Sequence, residues 1–468
     1  MIGNFARAAL PPVPRCAPVA AVLLLLLVVQ VPLPLAAQAR ESRLDRVFTG
    51  LVYRPLGPDE HRASAGLSVE ARAVDVPGVA GGAAVVSPHD EAVRYRLDAG
   101  VLRSTNGGAS WGPISPDLTA DPPSADPDAT ADPGGAARPA TVAPRRTLSV
   151  VAESPLEPGL IWVGASDGRV FLTRDGGASW SDAAAAFFSD LRVRSIEPSA
   201  HVGGRAYLVA ERVATDDPDS IPTPPLVFRT DDYGAEWRIL SDEYSGLPQD
   251  QAATVLREDP EREDLLFVGT PSGVYVSFNE GGSWDLFQFG LPEAAVTDLK
   301  IVGRDLVAHL QGRGPWVMDE IGPLRQVVEG LTTGEPYLFE PSPVYLDRLP
   351  ADEGVADGRG AIFDYLLPSI VREVRLEVLD AEEGRRLVGF TGVRRPRGGG
   401  GASRGTTAEE ARHIPGTRSG VHRIVWDLAE RDADGETTGR RVPPGTYLLR
   451  MTVDGLVRER TFEVVPGR

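Results

Sequence analysis

Short apolar runs recur along the chain, separated by residues that favour turns. Examples are LIWVGAS (Leu160 to Ser166), AYLVAER (Ala206 to Arg212) and LLFVGTP (Leu265 to Pro271), each followed within a short distance by a second apolar run. Short runs rich in Val, Leu, Phe and Tyr and bounded by Gly, Pro or Asp are typical of β-strands, because helices need longer periodic segments. The pattern therefore predicts an all-β repeat protein.

Four segments repeat one template directly after the second apolar run: Ser or Thr, any residue, Asp or Asn, any residue, Gly, two further residues and Trp. They are STNGGASW, TRDGGASW, TDDYGAEW and SFNEGGSW, which end at Trp111, Trp180, Trp237 and Trp284. The tryptophans are 69, 57 and 47 residues apart, a spacing typical of irregular propeller blades. We call these four segments the boxes.

Each position of a box has a physical role in a tight hairpin turn. The Asp or Asn accepts hydrogen bonds from backbone amides, the Gly supplies a positive φ, and the Trp buries a large face between neighbouring units. Tyr233 and Glu236 depart from the template, so the third turn is expected to be looser. We predict structural roles for Asn106, Gly108, Trp111, Asp175, Gly177, Trp180, Asp232, Gly234, Trp237, Asn279, Gly281 and Trp284.

Two strands, a box turn and a Trp strand make most of a four-stranded propeller blade. The runs DLVAHLQ and PWVMDE (Asp305 to Glu320) predict a further blade without a box. This gives about five recognisable blades between 50 and 325, and six or seven if residues 50–85 supply degenerate strands. The alternative is a ring that needs a partner to close.

The strand pattern resumes near the C-terminus, where REVRLEV and YLLRMTV alternate polar and apolar residues. Several short strands over about 110 residues predict an immunoglobulin-like β-sandwich. The predicted domains are a propeller at 40–325, a linker at 326–358 and the sandwich at 359–468. Residues 118–146, rich in Asp, Pro and Ala, are predicted to be a flexible insertion within the propeller.

The N-terminus has the features of a secretory signal at 1–39. Arg7 and Arg15 precede a short apolar core, and Ala37-Gln38-Ala39 provides small residues for cleavage after Ala39. The sequence therefore predicts an exported protein, periplasmic or extracellular, without stable membrane insertion after cleavage. Cys16 is the only cysteine, so the mature chain would contain no disulfide.

Charge and candidate chemistry narrow the function. The net charge is −18, and an acidic chain without a basic run is a poor nucleic-acid binder. The six histidines show no metal-ligand spacing, and no dinucleotide or phosphate-loop motif is present. A glycosidase needs two carboxylates at a defined separation, and nothing singles out such a pair among 66 acidic residues. We predict no catalytic, cofactor-binding or metal site and no cofactor.

The boxes and their flanks resemble the bacterial exported proteins with BNR (Asp-box), sortilin-like propellers. The matching segments are GVLRSTNGGASWGPISPDLT, AESPLEPGLIWVGASDGRVFLTRDGGASW and REDPEREDLLFVGTPSGVYVSFNEGGSW, and the terminal GVHRIVWDL and VPPGTYLLRMTVDG resemble the flagellar hook-capping type of immunoglobulin-like domain. The resemblance covers residues from about 95 to the C-terminus. Members often carry two propellers, so this chain looks like the C-terminal half of a longer member. It departs from the family at HLQGRGPW (His309 to Trp316).

Two functions remain open from the sequence. The first is an exported, non-catalytic binding or scaffold protein whose sortilin-like propeller binds a protein, peptide or glycan. The second is a glycoside hydrolase of the xyloglucanase- or sialidase-like propeller type, which would require a groove with two facing carboxylates. We favour the first, and whether the protein is an enzyme stays open because a propeller fold does not define a function.

Overall fold

The computed structural model describes residues 44, 47, 48, 50–56, 84–120, 146–184, 188, 191–212, 224–327, 334–346, 360–394, 414–431 and 437–466. The predicted signal peptide and most of the predicted insertion at 118–146 lie outside the described residues. Within the described part of the chain, no helix has the length and apolar character needed to span a membrane.

Within the described residues, the first part of the fold is five antiparallel sheets of four strands each, numbered sheets 1 to 5. The first strand along the chain is β1 (Arg54–Pro55). Sheets 1 to 4 each use four consecutive strands. Sheet 1 contains β2 (Val85–Val86), β3 (Arg94–Leu97), β4 (Val101–Ser104) and β5 (Gly112–Pro113), and sheet 2 contains β6 (Leu148–Glu153), β7 (Ile161–Ala165), β8 (Val170–Thr173) and β9 (Ser181–Asp182). Sheet 3 contains β10 (Leu191–Pro198), β11 (Ala206–Arg212), β12 (Leu226–Thr230) and β13 (Arg238–Ile239), and sheet 4 contains β14 (Val255–Glu258), β15 (Leu266–Thr270), β16 (Gly273–Ser277) and β17 (Asp285–Leu286).

Sheet 5 combines strands from two distant parts of the sequence. It contains β18 (Val296–Val302), β19 (Asp305–Leu310) and β20 (Gly314–Met318), and β1 pairs antiparallel with β20 as its outer strand. Arg54 Nε and Nη2 donate to the two carboxylate oxygens of Asp319 at 2.6 and 2.7 Å, which fixes β1 beside the end of β20. The blade predicted without a box therefore takes its fourth strand from the start of the chain.

The sheets follow one another as the blades of a propeller. The strands β6, β10, β14 and β18 contact one another in sequence, so they are the innermost strands of sheets 2 to 5. Sheet 1 contacts sheet 2 through β3 and β6. The second strands lie between neighbouring sheets, and β7 and β15 are buried along their whole length. This burial on both faces explains why they were continuous apolar runs in the sequence. The predicted all-β propeller is confirmed.

The second part of the fold is two sheets around one core. One sheet has the order β21 (Tyr337–Leu338), β23 (Ala361–Leu367), β26 (Gly420–Trp426); the other has β22 (Val344–Tyr345), β30 (Leu456–Val465), β29 (Gly445–Val453), β24 (Glu373–Asp380), β25 (Arg386–Val393), and β27 (Ala429–Arg431) with β28 (Thr437–Arg441) forms a short ribbon. Phe363, Trp426 and Phe462 pack together between the two sheets. We call this part the sandwich.

The sandwich and sheet 5 share a hydrophobic core. The short helix α1 (Gly322–Arg325) follows sheet 5, and one buried cluster contains Phe48, Leu51 and Met318 together with Leu366 and Val421 of the sandwich. Arg423 of β26 donates to the carbonyl oxygens that follow β20, at 2.5 Å to Asp319 and 2.6 Å to Glu320. The two parts are therefore packed against each other through sheet 5.

Candidate binding face of the propeller

The four box turns share one hydrogen-bond pattern. Oδ1 of the Asp or Asn accepts from the backbone amide four residues later, at 2.8 Å in Asp175 and 2.9 Å in the other three. The hydroxyl of the Ser or Thr two residues earlier accepts the amide of the box Gly at 2.9 Å and donates to the same Oδ1. The bonds from Ser179 and Thr173 lower the pKa of Asp175 to about 2. These side chains are occupied within their own turns.

The residue before the box Gly has a positive φ in every box. It is Gly107 or Gly176 in the first two boxes, and Tyr233 (φ 62°) or Glu280 (φ 57°) in the others. Tyr233 reaches back to the preceding sheet, where its hydroxyl lies 3.2 Å from Glu157. Glu280 does the same, at 3.2 Å from Arg205. The third turn therefore keeps the geometry of the others, and its extra side chain links two sheets.

Three of the four box tryptophans join consecutive sheets, whereas the ring of Trp111 lies under the guanidinium of Arg96 in its own sheet, at 4.8 Å. The indole nitrogens of Trp180, Trp237 and Trp284 donate to the carbonyl that follows the outer strand of the preceding sheet, at 2.9, 3.0 and 3.0 Å. In sheet 5 the same place, directly before the outer strand, is held by Tyr53, whose ring meets Phe287 edge-on at 6.0 Å. The sequence analysis missed this residue, although YRPL at 53–56 matches WGPI at 111–114.

The connections between strands divide over two faces of the propeller. The box face carries the box turns and the turns between first and second strands, which meet where the Gly176 amide bonds the Gly159 carbonyl at 3.1 Å. The loop face carries the connections between second and third strands and those from one sheet to the next. These meet where the Leu118 amide bonds the Ala99 carbonyl at 2.8 Å.

The sandwich occupies the box face of sheet 5. Asp319 and Glu320, which accept from Arg423, follow β20 at the position where the other sheets have a box turn. A cleft of about 460 Å³ lies between the two parts, and Arg325 on its wall is paired with Asp259 at 2.9 Å and Glu261 at 2.7 Å. Because two carboxylates already neutralise Arg325, this guanidinium is engaged within the structure.

Tyrosine–acid pairs occur in the structure, but inside the propeller. The Tyr207 hydroxyl donates to Glu258 at 3.0 Å, and the Ala200 amide bonds the same carboxylate at 2.7 Å. Burial raises the pKa of Glu258 and of Tyr207. A sialidase uses such a pair at an open site, whereas Tyr207 is 0% exposed. Its role is therefore to satisfy a buried carboxylate between sheets.

Three further acids of raised pKa are buried or half-buried. Burial raises the pKa of Asp305 to about 6, and its Oδ1 accepts the Glu320 amide at 2.8 Å. Burial likewise raises the pKa of Glu320 and of Asp364, which is paired with Arg423 at 2.9 Å. These groups lie where sheet 5 meets the sandwich, so their shifts reflect packing.

Two histidines connect neighbouring sheets at the box face. His89 Nε2 lies 2.8 Å from the Ser154 carbonyl, and His201 Nε2 lies 2.7 Å from the Asp259 carbonyl. In the portion of the chain that the structure describes, no group of three or more His, Cys, Asp or Glu is arranged to hold a metal ion. The described histidines thus have structural partners.

Comparison with known proteins finds only distant similarity to solved structures. No protein-family model matches the chain, and a search of curated proteins found no match. Among solved structures, the chain is similar to the GH74 xyloglucanase from Xanthomonas campestris (18% identity, TM-score 0.37, covering 61% of this chain and 42% of that one). It is also similar to an ancestral GH74 enzyme (15%, 0.37, 87% and 54%) and to YCF48 bound to D1 peptide (12%, 0.25, 48% and 75%).

The chain spans about half the length of the GH74 structures it matches, 42% of one and 54% of the other. At these identities and TM-scores the likeness carries no argument about activity or ligand. The molecule is a β-propeller joined to a β-sandwich.

Proposed function

We propose that this protein is an exported, non-catalytic binding or scaffold protein that holds a protein, peptide or glycan on the loop face of its propeller. One observation carries the proposal: the sandwich is packed on the box face of sheet 5 through Arg423, so the loop face is the face opposite this contact. The described strand ends that flank 57–83, 121–145 and 213–223 all lie on the loop face. Long connections on one face of a rigid scaffold are the usual carriers of binding.

The domain limits complete this proposal. Residues 1–39 act as a signal cleaved after Ala39, 40–325 form the sortilin-like Asp-box propeller, and 359–468 form an immunoglobulin-like adaptor. The linker at 326–358 also contributes β21 and β22 to the two sheets of that adaptor. The box geometry and the two-sheet core support these assignments. In this arrangement the sandwich presents the propeller with its loop face outward.

The test blocks one face at a time. Pro271 is exposed on the loop face and Ala178 is exposed in a box turn. Since the only cysteine, Cys16, lies in the predicted signal, Pro271→Cys and Ala178→Cys each give the mature protein a single thiol. Each is coupled to a bulky polyethylene glycol maleimide, and binding is measured to ligand recovered by cross-linking from the exported fraction.

Modification at Pro271 should abolish binding, and modification at Ala178 should leave it unchanged. The opposite result would place the ligand on the box face and overturn the proposal. The glycosidase alternative is tested separately by turnover of sialosides, xyloglucan and β-glucans, for which we expect none. Hydrolysis that one Asp→Ala or Glu→Ala substitution abolishes would establish an enzyme instead.

A further inference from the structure

The innermost strands share a bulge at their loop-face ends. One extra residue interrupts the pairing of β6, β10 and β18, and these residues are Ser149, Arg194 and Thr297. In sheet 4, Thr254 holds the position that corresponds to these extra residues. Its amide donates to the carbonyl of Gly269, and Gly269 is paired with the next residue, Val255. Bulges aim side chains in directions that a regular strand does not allow.

Three of these four positions carry a Ser or Thr whose hydroxyl donates to backbone carbonyls of the propeller. Ser149 Oγ donates to the carbonyls of Gly164 at 3.0 Å and Val193 at 2.7 Å, so it joins sheet 2 to sheet 3. Thr254 and Thr297 also donate to backbone carbonyls, at 2.8 and 3.1 Å. The shared role of this position is therefore to close the bulge.

Sheet 3 departs from this pattern. Arg194 replaces the hydroxyl, and its side chain is 36% exposed. Arg192 is 41% exposed, and both guanidinium groups approach the same oxygen of Glu211, at 3.7 Å from Arg192 and 3.4 Å from Arg194. The pair formed by Arg192 and Glu211 has uncharged counterparts in two other sheets. They are Thr147 with Ser166 in sheet 2, and Ala295 with Gln311 in sheet 5.

Two guanidinium groups thus share one carboxylate at the loop-face end of an innermost strand. Arg212, also exposed, directly follows Glu211. Among the described residues at this strand end, three arginines lie near one carboxylate, although the chain as a whole has a net charge of −18. Exposed ion pairs are weak, so a ligand carboxylate can take the place of Glu211.

We infer that Arg192 and Arg194 bind the carboxylates of an acidic peptide segment of a partner protein. This inference rests on the proposed function and adds the chemical class of its ligand. Planar guanidinium groups match carboxylates in pairs of hydrogen bonds. The half-buried Leu191 directly precedes Arg192 in β10 and offers apolar surface to the side chains of a peptide.

The experiment uses the full mature protein and fluorescein-labelled octaglutamate in an anisotropy titration. The double variant Arg192→Gln/Arg194→Gln should weaken binding about tenfold or more, because both charge-assisted contacts are lost. Arg375→Gln/Arg450→Gln, on exposed arginines of the sandwich, changes the net charge equally and should leave binding unchanged. Glu211→Gln should tighten binding about threefold or more, since it removes the competing carboxylate.

Several outcomes would overturn this inference. They are no binding of octaglutamate, an equal loss in both double variants, or weaker binding by Glu211→Gln. Oligogalacturonate binding with the same arginine dependence, and no octaglutamate binding, would identify an acidic glycan instead. If blocking at Pro271 abolishes binding of the recovered ligand while octaglutamate does not bind, the acidic peptide is excluded and the loop-face proposal stands.

Discussion

The amide of Gly50 donates a hydrogen bond of 2.8 Å to the carbonyl of Val421, and so joins the segment before β1 to the sandwich. A Cβ atom at residue 50 would lie 2.8 Å from the Arg423 amide nitrogen and 2.9 Å from the Val421 carbonyl oxygen. Both atoms belong to the backbone of β26, which cannot turn aside as a flexible side chain would. Residue 50 is therefore limited to glycine by space.

Gly50→Ala should lower the free energy of unfolding by about 1–3 kcal/mol, because the added methyl forces β26 away from the shared core. The matched control is Gly112→Ala, where a Cβ meets nothing within 4 Å, and a change below about 0.5 kcal/mol is expected. Urea unfolding followed by tryptophan fluorescence measures both. Equal urea midpoints for the two variants would show that close packing of β26 against Gly50 does not stabilise the protein.

The box turns depend on their buried hydroxyls. Thr230 is 1% exposed, and its Oγ1 accepts the amide of Gly234 at 2.9 Å. Thr230→Val keeps the shape but leaves that buried amide without a partner, so a loss of about 1–3 kcal/mol is expected. Thr105→Val, at the exposed second position of the first box, is the control and should be close to neutral. A neutral Thr230→Val in thermal unfolding would contradict this role.

Two buried tyrosines should respond in opposite directions to loss of the hydroxyl. Within the described residues the Tyr53 hydroxyl is buried without a hydrogen-bond partner, whereas that of Tyr207 donates to buried Glu258. Tyr53→Phe should therefore raise the unfolding free energy by about 1 kcal/mol or more, and Tyr207→Phe should lower it by about 1–3 kcal/mol. Calorimetry of both variants decides the point. A lower Tm for Tyr53→Phe would reveal a hydrogen bond at its hydroxyl.

Asp305 gives the fold a pH dependence of known sign. Folding raises its pKa from 3.8 to about 6, chiefly by burial. A carboxyl with a raised pKa holds its proton more tightly in the folded state than in the unfolded state. Its contribution to the free energy of unfolding is therefore complete below pH 3.8, falls as the pH rises to about 6, and is absent above that pH. Asp175 acts in the opposite sense, since its contribution is lost as the pH falls towards about 2.

Asp305→Asn should therefore stabilise the protein near neutral pH, by at most about 3 kcal/mol, because the amide resembles the protonated acid and its oxygen can still accept from Glu320. The stability difference from the wild type should shrink between pH 6 and pH 4. Urea titrations at several pH values test this, with the exposed Asp98→Asn as control. A difference independent of pH would assign the effect to something other than this proton.

Local patterns made the boxes and the strand pairs of sheets 1 to 4 predictable, because each sheet uses consecutive strands and each turn bonds within itself. Sheet 5 was predicted only in part. Its outer strand lies 259 positions before β20 begins (Pro55 and Gly314), so no local period connects them. The match between YRPL and WGPI was available in the sequence, but its meaning depends on the fold.

The candidate site could not be read from the sequence for a related reason. Arginine is common in this chain, so nothing in the sequence distinguishes Arg192 and Arg194 from the other arginines. Their significance comes from a bulge that gives Arg194 the place of Ser149 and Thr297 in other sheets. The place where the sandwich contacts the propeller could not be predicted either, because the contact between Gly50 and Val421 arises only from tertiary packing.

The pairing of the first described strand with β20 also sets an order of events during folding. Sheets 1 to 4 can each assemble from a continuous stretch of chain, but Arg54 meets Asp319 only across a separation of 265 residues. Such distant contacts are slow to form. A chain that emerges N-terminus first therefore keeps β1 as an unpaired edge until almost the whole propeller has been delivered, and during that interval it is open to pairing with other chains.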